Sequence, residues 1–111
     1  MGWAAARKLR RAIDGLSRVL AIEITTSARA LDLRAPLAPA PATAAVRDLV
    51  RATGVPGPGP DRFLSPDIEA VTALVQSGAV SDAAFGAASV GAAGAGVADA
   101  GAVSSRGDDA R

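Results

Sequence analysis

Between Trp3 and about Leu33 the residues Leu9, Ile13, Leu16, Leu20, Ile24, Ala28 and Leu31 recur at steps of three or four, which lays an apolar stripe along one face of a helix. The two halves of this rod differ. Around the stripe the first half carries Arg7, Lys8, Arg10, Arg11, Asp14 and Arg18, so it is expected to be partly wet. The second half reads Val19-Leu20-Ala21-Ile22-Glu23-Ile24, apolar nearly all round, and is expected to be buried. A helix of about 30 residues spans roughly 45 Å, longer than a compact domain of this chain length is wide. It therefore needs neighbours that the chain hardly supplies. Thr25 and Thr26 lower helix propensity in the buried half, where tertiary packing rather than propensity has to decide the conformation.

Punctuation along the chain fixes the remaining elements. Pro36 pushes Ala35 out of the helical region and should end the rod, after which Pro36, Pro39 and Pro41 make an extended connector. A second, short helix is predicted to start near Ala42 or Thr43, with Val46, Leu49 and Val50 on one face and Gly54 just past its end. Val55-Pro56-Gly57-Pro58-Gly59-Pro60 excludes helix and central strand. Ser65-Pro66-Asp67 then reads as a helix start, with Ser65 as N-cap, Pro66 in the first turn and Asp67 favourable to the dipole. Ile68, Val71, Leu74 and Val75 form the face of this third helix, and Gly78 suits a left-handed stop. From Ser81 to Arg111 the glycines at 86, 91, 94, 96 and 101 undermine helix and only Phe85 offers an anchor, so a mostly disordered Ala/Gly-rich tail is expected. The fold class is thus all-α: one long helix and two short ones over residues 1–80, then a low-complexity tail over 81–111.

Composition narrows the chemistry. With no Cys and no His among 111 residues, a zinc finger, a disulfide scaffold and a Cys-His or Ser-His-Asp centre are excluded. The hydrophobic half of the chain is largely Ala, with two Phe, one Trp and no Tyr, so each buried residue removes little area from water and a self-sufficient core is not expected. A net charge of +1 excludes strong whole-chain attraction to nucleic acid or an anionic membrane. Val19-Leu20-Ala21-Ile22 meets Glu23 long before the roughly 20 apolar residues a spanning helix needs. Met1-Gly2 lacks the Ser or Thr at position six that acylation wants, having Ala6, and a soluble, cytoplasmic chain is the default expectation.

No constellation assembles a catalytic centre. The cluster Arg7-Lys8-Leu9-Arg10-Arg11 could face phosphate or a membrane, although a solvated or ion-paired helix surface explains it without ligand. Glu23 is the acid expected to be desolvated, and a structural pair with an Arg of another segment or subunit is preferred to catalysis. Asp61-Arg62 and Asp67-Ile68-Glu69 lack a partner at metal-site spacing, and the Gly-Pro run lacks the Lys and Ser/Thr of a phosphate loop. Arg106-Gly107-Asp108 matches an adhesion tripeptide only by chance.

Met1-Gly2-Trp3 with Ala5-Ala6-Arg7-Lys8, then Val19-Leu20-Ala21-Ile22-Glu23, Ala30-Leu31-Asp32-Leu33-Arg34 and Asp61-Arg62-Phe63-Leu64-Ser65-Pro66-Asp67-Ile68 together resemble the C-terminal part of bacterial histidine ammonia-lyases, in the aromatic amino-acid lyase family. The resemblance covers roughly residues 1–80. It implies a large, nearly all-helical homotetramer of histidine catabolism that converts L-histidine to urocanate with a methylidene-imidazolone prosthetic group made from an internal Ala-Ser-Gly. That tripeptide is absent, since Ala88-Ser89 is followed by Val90, and the family's Gln-Glu-Asp-His-Val-Ser stretch would end immediately before Met1. No family catalytic, cofactor-binding or metal residue falls on a numbered position, so the site set is empty and the chain alone is expected to be inactive. The implied role is scaffold within a larger helical bundle, with the remainder of the subunit and homotetramer neighbours as partners and neither nucleic acid nor membrane. Departure from the pattern beyond about Ala79 suggests an extended terminus or a shifted reading frame. Two alternatives stand beside this reading: a small helical interaction module with a basic amphipathic first helix, and a fragment of a phenylalanine or tyrosine ammonia-lyase.

Overall fold

The computed structural model describes residues 1–103, with side-chain surroundings through residue 91. Four helices follow in order: α1 (Gly2–Leu33), α2 (Pro41–Ala52), α3 (Ser65–Ser77) and α4 (Ala79–Val103), with no strand among the described residues. α1 stops ahead of Pro36. α2 opens on Pro41 itself, one residue before the expected start, because a proline in the first turn forfeits only an amide that has no helical partner. Leu64 rather than Ser65 occupies the N-cap of α3, so Ser65 is its first helical residue and its hydroxyl caps nothing. Gly54 and Gly78 end α2 and α3 in the left-handed region, with φ of 89° and 83°. A Cβ at Gly78 would meet no neighbour within 4 Å, so Gly78→Ala isolates the backbone cost. It should lower stability by about 1 kcal/mol, read as a shift of the urea midpoint.

α1 packs chiefly on α3, and α2 on α4. The core is small: Ala21, Val50, Val55 and Val71, with Ile24, Ile68, Ala70 and Leu74 packed against it. α1 buries the end of the predicted stripe, with Ala28 buried and Ile24 and Leu31 half-buried, but leaves its beginning, Leu9, Ile13, Leu16 and Leu20, exposed. Its buried residues are Ser17, Ala21, Thr25 and Ala28, the small members of the rod, which let another helix approach closely. Their hydroxyls bring no unpaired polar group into the contact: Ser17 donates to the Ile13 carbonyl at 3.0 Å and Thr25 to the Ala21 carbonyl at 2.8 Å. Thr72 on α3 does the same toward Ile68 at 2.7 Å. Val19, Leu20 and Ile22 remain exposed, so the second half of α1 is buried along one face only, not nearly all round.

The expectation of a mostly disordered segment after Ser81 is corrected as far as Val103, where α4 forms. Alanine is the strongest helix former and outnumbers the glycines, which each cost roughly 1 kcal/mol relative to it. α4 also has a support, since Ala83, Ala84 and Ala87 are half-buried and Gly91 lies beside Pro41 at the start of α2. Phe85, the anchor expected from the sequence, faces solvent instead. The expectation for residues 104–111 lies outside the described residues.

The assembly of helices is elongated. Its radius of gyration is 20.8 Å, against about 13 Å for a compact domain of this length.

Candidate functional site

Two ion-pair clusters fix the connectors. Arg51, on the last turn of α2, reaches the Asp32 carboxylate at the end of α1 and also donates to the Val55 carbonyl at 3.2 Å. A Cβ on Gly57 would come within 3.2 Å of the same Asp32 carboxylate, so the Gly-Pro run threads past this pair at close quarters. Arg62 donates through Nε and Nη2 to Asp67 Oδ2, at 3.1 and 2.8 Å, and through Nη2 to the Pro56 carbonyl at 3.4 Å. The run Val55–Pro60 is thus held at its first two carbonyls by the guanidinium groups of Arg51 and Arg62, and Val55 is buried in the core.

These pairs account for the acids noted in the sequence. Asp67 belongs to Arg62, Glu69 to Arg18 at 3.2 Å, and Asp61 is exposed, accepting only from the Arg62 amide. They do not converge, and among the described residues no group of His, Cys, Asp or Glu could hold a metal ion. Glu23 is exposed and has no ion-pair partner among the described residues, contrary to the expected desolvation, because it lines an open cleft between α1 and α2 rather than a closed contact. Arg106-Gly107-Asp108 lies outside the described residues. The residues present do not fit the methylidene-imidazolone group: Ser89 sits on an exposed turn of α4 with its hydroxyl donating to the Gly86 carbonyl at 2.8 Å, and Val90 follows where glycine would be required.

What the structure does gather is apolar surface. Leu9, Ile13 and Leu16 are 62%, 54% and 58% exposed. Leu9 and Ile13, with Ala6 and Arg10, line one side of an open groove of about 640 Å³ whose other wall is Val75 and Gln76 of α3. Every aromatic residue of the chain also faces out, with Trp3, Phe63 and Phe85 at 77%, 81% and 76% exposure. Large aromatic side chains contribute most per residue when buried, so a chain that buries valines and alanines while exposing all its rings has its main contact surfaces turned outward. No helix among the described residues is long and apolar enough to cross a membrane.

Residues 1–52 match the family model described as aromatic amino acid lyase. Over this shared stretch the chain belongs to the aromatic amino acid lyase family. Within that family, the curated relatives it matches are named histidine ammonia-lyase. That of Streptomyces avermitilis is 57% identical over 84 residues, covering 76% of this chain and 16% of the relative. That of Streptomyces coelicolor is 56% identical over the same length, and that of Symbiobacterium thermophilum is 47% identical over 78 residues, covering 70% of this chain and 15% of the relative. The chain spans about one sixth of the length of the curated relatives it matches. No solved structure matches it.

Proposed function

We propose that the chain supplies helical scaffold and subunit packing to a histidine ammonia-lyase, the enzyme that converts L-histidine to urocanate in histidine catabolism, and contributes no catalytic group. The observation that carries this reading is the outward-facing row Leu9-Ile13-Leu16 together with three exposed aromatic rings. In water such a surface is costly, and covering it with helices of the rest of the subunit, or of neighbours in a homotetramer, removes it. The names of the relatives favour histidine over phenylalanine or tyrosine as the substrate of the whole enzyme.

Incubated alone with L-histidine, the purified chain should produce no urocanate absorbance. Co-expressed with the part of the Streptomyces avermitilis enzyme outside the matched 84 residues, it should co-purify and restore turnover. Turnover by the isolated chain, or failure of the two polypeptides to associate, would overturn the reading. Leu9→Ser/Ile13→Ser/Leu16→Ser should leave the stability of the isolated chain within about 0.5 kcal/mol, because the side chains are already wet, yet abolish that co-purification.

A further inference from the structure

The first twenty residues carry a net charge of +4 within a chain whose total is +1, so the remainder carries −3. The imbalance is organised in space. At 100° per residue, Arg7, Arg11 and Arg18 fall on one line along α1, on the side opposite Leu9, Ile13, Leu16 and Leu20. Lys8 flanks this line, and Ala4, Arg7, Lys8 and Arg11 surround a shallow depression of about 240 Å³. Among the described residues Arg7, Lys8, Arg10 and Arg11 have no carboxylate within ion-pair distance. Arg7–Arg11, Arg7–Arg10 and Lys8–Arg11 are like-charge pairs at helical spacings of four and three, which disfavour the helix; Asp14, at such spacings from Arg10, Arg11 and Arg18, is the one acid on this stretch and reaches neither Arg7 nor Lys8 by that spacing.

The fold shows how the same line is neutralised about two turns beyond Arg11. Arg18 meets Glu69 of α3, and α3 then runs back along α1 until it ends at Ser77, beyond which no element of the described chain covers the cations. A lipid surface fits this layout poorly. A helix lying on a membrane sinks its apolar face and keeps its cations at the headgroup level, whereas here Arg7 and Arg11 would point away from the bilayer when Leu9 and Ile13 point into it. Nor does an aromatic platform accompany the ridge, as single-stranded nucleic acid would need. A rod that is apolar on one side and cationic on the other is suited to lie between two protein neighbours of different chemistry.

We infer that the ridge Arg7–Lys8–Arg11 docks a carboxylate-bearing helix face of the remaining lyase polypeptide, continuing the pairing that Glu69 begins at Arg18. This inference rests on the scaffold reading and adds the chemistry of a second partner face. The apolar stripe gives the association its strength, and the ridge gives it orientation and a dependence on ionic strength.

The test uses the full chain co-expressed with the remainder of the Streptomyces avermitilis enzyme and follows the retained complex between 50 and 500 mM NaCl. Retention of the unaltered chain should fall at least tenfold over that range. Arg7→Gln/Lys8→Gln/Arg11→Gln should lose at least tenfold at 50 mM and show a flattened salt response, while Arg7→Lys/Arg11→Lys should keep both. All these positions are exposed, so the helical circular dichroism of the isolated chain should not change. Association by the triple variant with unaltered strength and salt response would overturn the acidic face and leave the scaffold reading standing. Absence of any complex with the unaltered chain would overturn both. Binding of the unaltered chain to phosphatidylglycerol but not phosphatidylcholine vesicles, lost in the triple variant whose association with the polypeptide is intact, would overturn it in favour of a membrane.

Discussion

Replacing Ala21 by Leu is expected to force α1 away from α3 and to cost about 2–3 kcal/mol, although the change adds only hydrophobic volume. Ala21 is fully buried against Val50, Val55 and Val71, and its methyl group is what allows the helices to approach there. Three extra carbons have no void to enter, so they must be accommodated by an axial displacement that also unpacks the three valines. The native state has little reserve against this, because a core built of valine and alanine in a chain this short supplies only a few kcal/mol of net stability. Urea unfolding followed by helical circular dichroism should show the midpoint falling by about 1–2 M or the cooperative transition disappearing. Leu16→Ala removes apolar volume from the same helix and should move the midpoint little, since that side chain is exposed. The reverse order, with Leu16 costly and Ala21 permissive, would mean that α1 buries its large stripe and that the helix is rotated from the position seen.

That contrast also marks where sequence and structure part. Helix positions were legible because they rest on local chemistry: Pro36 ends α1, Pro41 opens α2, and Gly54 and Gly78 take positive φ at the ends of α2 and α3. Which face each helix buries is a tertiary property. Periodicity selects Leu9, Ile13, Leu16 and Leu20, which stay exposed, and also Ala28, which is buried; the rest of the intramolecular contact falls to Ser17, Ala21 and Thr25, one position round the helix. Glu23 stays exposed for the same reason, since Val19, Leu20 and Ile22 are themselves exposed and only Ile24 packs on the core. Val55 is missed as a core residue because it lies in a Gly-Pro segment with no periodicity to betray it, and the Asp32–Arg51 pair because nineteen residues separate its members. The helix after Ala79 is not legible from its glycine-rich sequence, because its support comes from α2. For function, no spacing of residues points to a catalytic centre, and the family is legible in the order of short segments from Met1-Gly2-Trp3 to Asp61–Ile68 rather than in their chemistry.

The Asp32–Arg51 pair, which ties the end of α1 to the last turn of α2, is expected to be worth far more than a surface ion pair, and Arg51→Met should cost about 2 kcal/mol. Both side chains are roughly three-quarters buried, at 23% and 26% exposure, and the guanidinium serves two acceptors at once. Removing it leaves a half-desolvated carboxylate at the end of α1 and an unpartnered carbonyl at Val55, and it frees the segment that carries Val55 into the core. The loss should therefore exceed that of a comparable pair at the surface. Arg18–Glu69 provides the comparison: its side chains are 63% and 56% exposed, so Arg18→Met should cost no more than about 0.5 kcal/mol. Asp32→Asn keeps an acceptor without the charge and should fall between the two. Combining it with Arg51→Met should cost less than the sum of the single changes, because the second substitution removes a contact that the first has already weakened. Urea midpoints of the four variants measure all of this. Strict additivity of Asp32→Asn and Arg51→Met would show that Arg51 acts through Val55 alone, and the turn rather than the ion pair would then be what joins α1 to α2.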